Sequence, residues 1–150
     1  MFIAQRIAIE DMASEREDNL VKLLLCAATT THDKCDIFVK LYSYLVKHQS
    51  KTEAAKQYCA YLLGRDNVNE DVLADFIADV VSYIKQVEYG VIKIDPCVRA
   101  AGLHLYLMFD RFASEPFAEV SKDCPERKSM TQVFEINNDS IDVLMLFYSV

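Results

Sequence analysis

The amino-acid sequence predicts an all-α protein, a single-domain bundle of six to eight helices around one central apolar helix at about 96–113. Three observations carry that expectation. The 150 residues hold only three Gly and three Pro, about a third of the roughly 12% that is usual, and a β-rich chain would need many more turn residues. Apolar residues recur at helical spacing in one segment after another. Residues that start and stop helices punctuate those segments. The length suits one domain over 1–150, able to bury roughly 70% of the surface its unfolded chain exposes. A hydrophobic content of 52% with 26% charged residues is that of a globular chain rather than a disordered one.

The segments follow in order. Residues 1–13, with Ile7 and Ile9, read as an arm or an extra strand, with helical structure from about 15 to 150. Ser14 and Glu17 form a capping box ahead of Leu20, Val21, Leu23, Leu24 and Leu25, which places a helix at about 15–30. Asp33 can cap the next, carrying Ile37, Phe38, Leu41, Tyr42 and Leu45. Ser50 and Glu53 make a second capping box, before Ala54, Ala55, Tyr58 and Leu62, and Gly64 sits where a helix takes its left-handed stop. Val72, Leu73, Phe76, Ile77, Val80, Val81, Ile84 and Val87 form a broad apolar stripe. Asp71, Asp75, Asp79 and Lys85 lie off that stripe and face water, and Gly90 closes the helix.

Asp95 followed by Pro96 is a strong start signal, an N-cap residue before proline at the first helical position. From Val98 through Ala100, Ala101, Leu103, Leu105, Tyr106, Leu107, Met108, Phe109 and Phe112 almost no polar face remains. A helix apolar all round is buried on every side or spans a membrane. Arg99, His104 and Asp110 make this one too polar to span, so it is expected at the centre. Pro116 and Pro125 can each open a short helix, with Phe117, Val120, Met130, Val133 and Phe134 as anchors and Glu126, Arg127 and Lys128 as an exposed first turn. Asn138 or Asp139 can cap a last helix holding Ile141, Leu144, Met145, Phe147 and Val150.

A net charge of −7 argues against a general nucleic-acid binder, which depends on a basic stripe, and against docking on anionic lipid. The longest apolar runs, Leu103 to Phe109 and Val143 to Tyr148, fall far below the roughly 18 residues of a membrane span. Cys26, Cys35, Cys59, Cys97 and Cys124 form an odd, irregularly spaced set without a CxxC pair. With no secretory signal, they read as thiols of a reducing compartment, and the expected location is the cytoplasm. No transmembrane anchor is expected.

The search for chemistry returns little. His32 and Cys35 stand three apart, as a nucleophile and base or two metal ligands would, but no third partner is visible. His104 suits a hydrogen-bonded core histidine. Asp71, Asp75 and Asp79 share a face that reads as solvated. Three scattered glycines cannot build a phosphate loop, and no GxSxG or HExxH signature occurs. The expectation is a non-enzyme without metal or cofactor, whose work is binding.

The stretch Phe76 to Ile92 leads through Glu88, Tyr89, Gly90 and Val91 towards the apolar run after Pro96. In that order it resembles the Bcl-2-like family, where an aromatic residue and paired valines precede an Asn-Trp-Gly-Arg signature. Of that signature Gly90 is identical and Tyr89 a conservative exchange, while Val91 cannot supply the family's arginine. The likeness extends to viral members through Leu41, Tyr42 and Ser43, through Gly102 in the apolar helix, and through the apolar final helix. It covers about 18–150 with short, degenerate motifs.

The resemblance implies a helix-in-groove binder. Tyr58, Leu62, Phe76, Val80, Tyr83, Ile84, Tyr89 and Gly90 would form the groove, with Arg99 or Arg65 replacing the missing arginine. It further implies a viral-type, anti-apoptotic protein of the host cell cytoplasm. Such a protein sequesters amphipathic pro-apoptotic (BH-3) helices in host–virus interaction. One alternative keeps the fold but closes the groove, as an inhibitor of innate immune signalling of the NF-kappa-B type that could form a homodimer. The alternatives of another class are a small helical enzyme or metalloprotein using His32 and Cys35, and an acidic mimic of nucleic acid.

Overall fold

The computed structural model describes residues 31–64, 68–112 and 125–149. Among them are six α-helices and no strand. These are α1 (Thr31–Lys47), α2 (Thr52–Leu62) after a 3-10 turn (Gln49–Lys51), α3 (Glu70–Glu88), α4 (Pro96–Phe112), α5 (Pro125–Val133) and α6 (Asn138–Ser149). The expected arm at 1–13, the helix at 15–30, Arg65, Pro116, Phe117, Val120 and Val150 lie outside the described residues. No described helix is long and apolar enough to cross a membrane.

The punctuation of the sequence is largely realised. Gly64 and Gly90 take φ of +70° and +77°, a region open to glycine at little cost. After α3 the amides of Gly90 and Val91 donate to the carbonyls of Val87 and Gln86, a Schellman stop. Asn69 caps α3 by accepting from the amides of Asp71 and Val72, and Asp95 caps α4 by accepting from the amide of Cys97 at 2.8 Å. Three starts differ from expectation. Asp33 lies inside α1. Ser50 lies in the 3-10 turn, so the second capping box does not form, and α2 starts without a side-chain cap. The cap of α6 is Asn137, one residue earlier than expected, accepting from the amide of Ser140 at 2.8 Å.

The centre of the bundle is α1, and this corrects the expectation for 96–113. Every residue from Ile37 to Leu45 is buried, and α1 packs against α3, α4 and α6. On α4, Gly102, Leu105, Tyr106 and Phe109 turn inward while Ala100, Leu103, His104 and Leu107 are exposed. The reason is that polar residues can be buried at the centre when they are partnered, as Lys40, Tyr42 and Ser43 are; the buried Tyr44 hydroxyl is the exception, with no hydrogen-bond partner among the described residues. Lys40 Nζ meets Asp36 Oδ2 at 2.5 Å and Glu88 Oε1 at 3.4 Å. Ser43 Oγ and the Tyr83 hydroxyl are 2.7 Å apart. The Tyr42 hydroxyl donates to the Phe134 carbonyl at 2.8 Å and so satisfies the end of α5. Gly102 makes the α1–α4 contact close: a Cβ there would stand 3.0 Å from Tyr42 Cδ2 and 3.5 Å from Val39 Cα.

The core draws on all six helices. Phe38 packs edge-on to Tyr106 and Phe109, and Phe76 lies between Tyr44 and Tyr58. Ile141, Leu144 and Phe147 bury the inner face of α6. Arg127, expected in an exposed first turn, is instead buried. Its Nη2 donates to Asp142 Oδ1 at 2.7 Å and to the Asn138 carbonyl at 3.2 Å, tying α5 to α6. Met130 and Phe134 are core anchors as expected, whereas Val133 is exposed.

Candidate functional site

The residues expected to line a groove do not do so together. Tyr58, Phe76, Val80, Tyr83 and Ile84 are all within the core, and Leu62 is half-buried against it. The buried faces of α2 and α3 meet each other, α1 and α6 rather than a channel. Tyr83, implied as a groove residue, has its hydroxyl engaged by Ser43 and its ring packed on Tyr44. Tyr89, Gly90 and Arg99 are the three of the set that reach solvent.

Leu63 just after α2 and Val133 at the end of α5 are exposed, and four more exposed large apolar side chains lie in the stretch of chain from Tyr89 to Leu107. Tyr89 and Val91 are 78% and 72% exposed, and Leu103 and Leu107 are 41% and 62% exposed. The Schellman stop presents the first pair, because closing α3 at Gly90 turns the chain outward with Tyr89 and Val91 on either side. Helical geometry presents the second pair. With Gly102, Leu105, Tyr106 and Phe109 facing α1 and the core, Pro96, Ala100, Leu103 and Leu107 fall on the opposite side of α4. Arg99 and the exposed His104 edge that side, His104 resting edge-on to Phe134 with ring centroids 5.6 Å apart. Leu103 and Leu107 escape sequence reasoning as surface residues because the run after Pro96 reads as apolar all round. The signal that could have found the α4 pair is the interruption of that run by Arg99 and His104, which marks one side as wet.

The titratable groups offer weak chemistry. Cys35 is half-buried, and burial followed by the charge of Asp36 pushes its thiol up, away from the thiolate a nucleophile needs. His32 shares the first turn of α1 with it. Tyr42 and Tyr44 are pushed up to about 12 by burial, with further contributions from Glu135 and Asp79. Burial raises Tyr58 as well. These three are core tyrosines held neutral. Among the described residues no group of three or more His, Cys, Asp or Glu could hold a metal ion. Asp71, Asp75 and Asp79 are exposed, with Asp79 3.4 Å from Lys51.

Comparison with protein-family models, with curated proteins and with solved structures finds no match for this chain.

Proposed function

We propose that this protein is a non-enzymatic protein-binding module that works through the surface formed by the turn after α3 and the outer face of α4. Within the Bcl-2-like resemblance, this is the closed-groove form, an inhibitor of innate immune signalling in the host cell cytoplasm rather than a captor of pro-apoptotic helices. The observation that carries the reading is the division of the nine candidate residues. Tyr58, Phe76, Val80, Tyr83 and Ile84 are committed to the core, while Tyr89, with Val91, Leu103 and Leu107, offers apolar area to a partner. Opening a groove along α2 and α3 would expose several fully buried side chains, each costing about 1.5–3 kcal/mol.

Two measurements test it. Calorimetric titration against a panel of pro-apoptotic helix peptides should show no binding; micromolar or tighter binding, weakened by Tyr89→Ala, would restore the anti-apoptotic reading. In cells carrying a stimulated NF-kappa-B reporter, the protein should lower the output and Leu107→Asp should restore it. An unchanged reporter would overturn the signalling role.

A further inference from the structure

We infer that the outer face of α4 pairs antiparallel with the same face of a second copy of this chain, each copy's Arg99 set against the other's Asp110. This rests on the protein-binding reading above and names the partner of its α4 surface.

The apolar part of the face is one seam. Pro96, Ala100, Leu103 and Leu107 step by four, three and four, the spacing by which two helices pack side by side. All four are exposed, while Gly102, Leu105, Tyr106 and Phe109 are consumed by the core. Leu103 and Leu107 are the large members, one turn apart, and a partner helix must meet both.

The charges select a second copy. Arg99 is exposed beside the seam and joins no ion pair among the described residues. Asp110 follows it by eleven residues, about three full turns, so the two positions share one flank of α4. They lie almost evenly about the midpoint of the leucine pair, for position 105 is six residues beyond Arg99 and five short of Asp110. A two-fold axis through that midpoint, perpendicular to α4, sets each flank against its own counterpart. Leu103 then meets Leu107 of the second copy, and Leu107 meets its Leu103. In the same register position 99 stands level with position 111 of the second copy, within about 1.5 Å along the axis of Asp110. The symmetry repeats the match, giving two pairs of opposite charge around two leucine layers. On the opposite flank this register keeps the Arg111 positions of the two copies about 18 Å apart along the axis. Parallel pairing instead sets the Arg99 flank against that of Cys97, His104 and Arg111, which brings it no carboxylate.

The face of one 17-residue helix is small for a stable interface, so dissociation in roughly the micromolar range is expected. Sedimentation of the full chain from about 1 to 100 μM should show a reversible monomer–dimer equilibrium. Leu107→Asp should leave it monomeric with an unchanged circular-dichroism spectrum. Arg99→Asp and Asp110→Arg should each weaken dimerisation by about tenfold, since each sets like charges at both pairs. Arg99→Asp combined with Asp110→Arg should return to within about threefold of the parent. Dimerisation indifferent to the single reversals, or reversals that the double variant does not repair, would overturn the antiparallel pairing. A monomer at every concentration would overturn the second copy, and the protein-binding reading would stand without it if Leu107→Asp still restored the reporter output in cells. A dimer that obeys the charge rule beside an unchanged reporter would sink the signalling reading and leave the pairing in place.

Discussion

Gly102 is the position at which the α1–α4 contact can be tested most directly. A methyl group added there would stand 3.0 Å from Tyr42 Cδ2, 3.4 Å from Val39 Cγ1 and 3.5 Å from Val39 Cα, against a comfortable carbon–carbon separation of about 3.5–4.0 Å. The ring must move by some tenths of an ångström, and it is poorly placed to do so. Its hydroxyl is bound to the Phe134 carbonyl at 2.8 Å, and its face is packed edge-on to the Phe134 ring. Overpacking of this kind costs about 1–3 kcal/mol, while replacing a helical glycine by alanine returns about 1 kcal/mol. Gly102→Ala should therefore lose about 1 kcal/mol, or roughly 2–4 °C in melting temperature. The assay is denaturant unfolding followed by circular dichroism, in the parent and in a Tyr42→Phe background. Without the hydroxyl tether the ring can yield, so the alanine should cost at least about 0.5 kcal/mol less there. A gain of about 1 kcal/mol from Gly102→Ala in the parent, as at an open helical site, would refute the close approach. An equal cost in both backgrounds would refute the role of the tether.

Four further outcomes follow from the structure. Leu105→Asp should unfold the protein, because an unpaired carboxylate at a fully buried site costs several kcal/mol out of a total of about 5–15. Leu107→Asp on the opposite side of α4 should change stability by no more than about 0.5 kcal/mol; thermal melts of the two check the orientation of the helix. Glu135 holds φ of +54° just beyond α5, so Glu135→Gly should stabilise by about 0.5–1 kcal/mol by relieving left-handed strain, and a loss in denaturant unfolding would contradict that. Finally, Tyr42 and Tyr44 ionise near 12 when folded and near 10 when unfolded. Above about pH 10 the unfolded chain sheds protons that the folded one keeps, so stability should fall between about pH 10 and 12. A pH series of melting temperatures flat across that range would count against their burial.

Much of the helix order is legible along the chain because capping is local chemistry. Asp95 before Pro96, and Gly64 and Gly90 after their helices, act through atoms within a few residues, and these features stand where expected. The second capping box is read wrongly for a related reason: Ser50 and Glu53 match the pattern, but the backbone there continues through a 3-10 turn. The candidate groove is the least legible part. Phe76, Val80 and Ile84 belong to one apolar stripe, and periodicity cannot say whether such a stripe meets a neighbouring helix of the same chain or a partner.

By itself the sequence determined that this protein is helical, where α2 and α3 end, where α4 and α5 begin, and which face of α3 is apolar, because those properties follow from neighbouring residues and a period of 3.6. The tertiary structure decided which helix sits at the centre and which apolar residues stay in water. Lys40, Ser43 and Tyr42 make α1 look half-polar until their partners arrive from Glu88, Tyr83 and Phe134, far away along the chain. Leu103 and Leu107 make α4 look wholly buried until Gly102 sets which side of it lies against α1. Burial is settled by contacts between distant segments, and local hydropathy does not encode them.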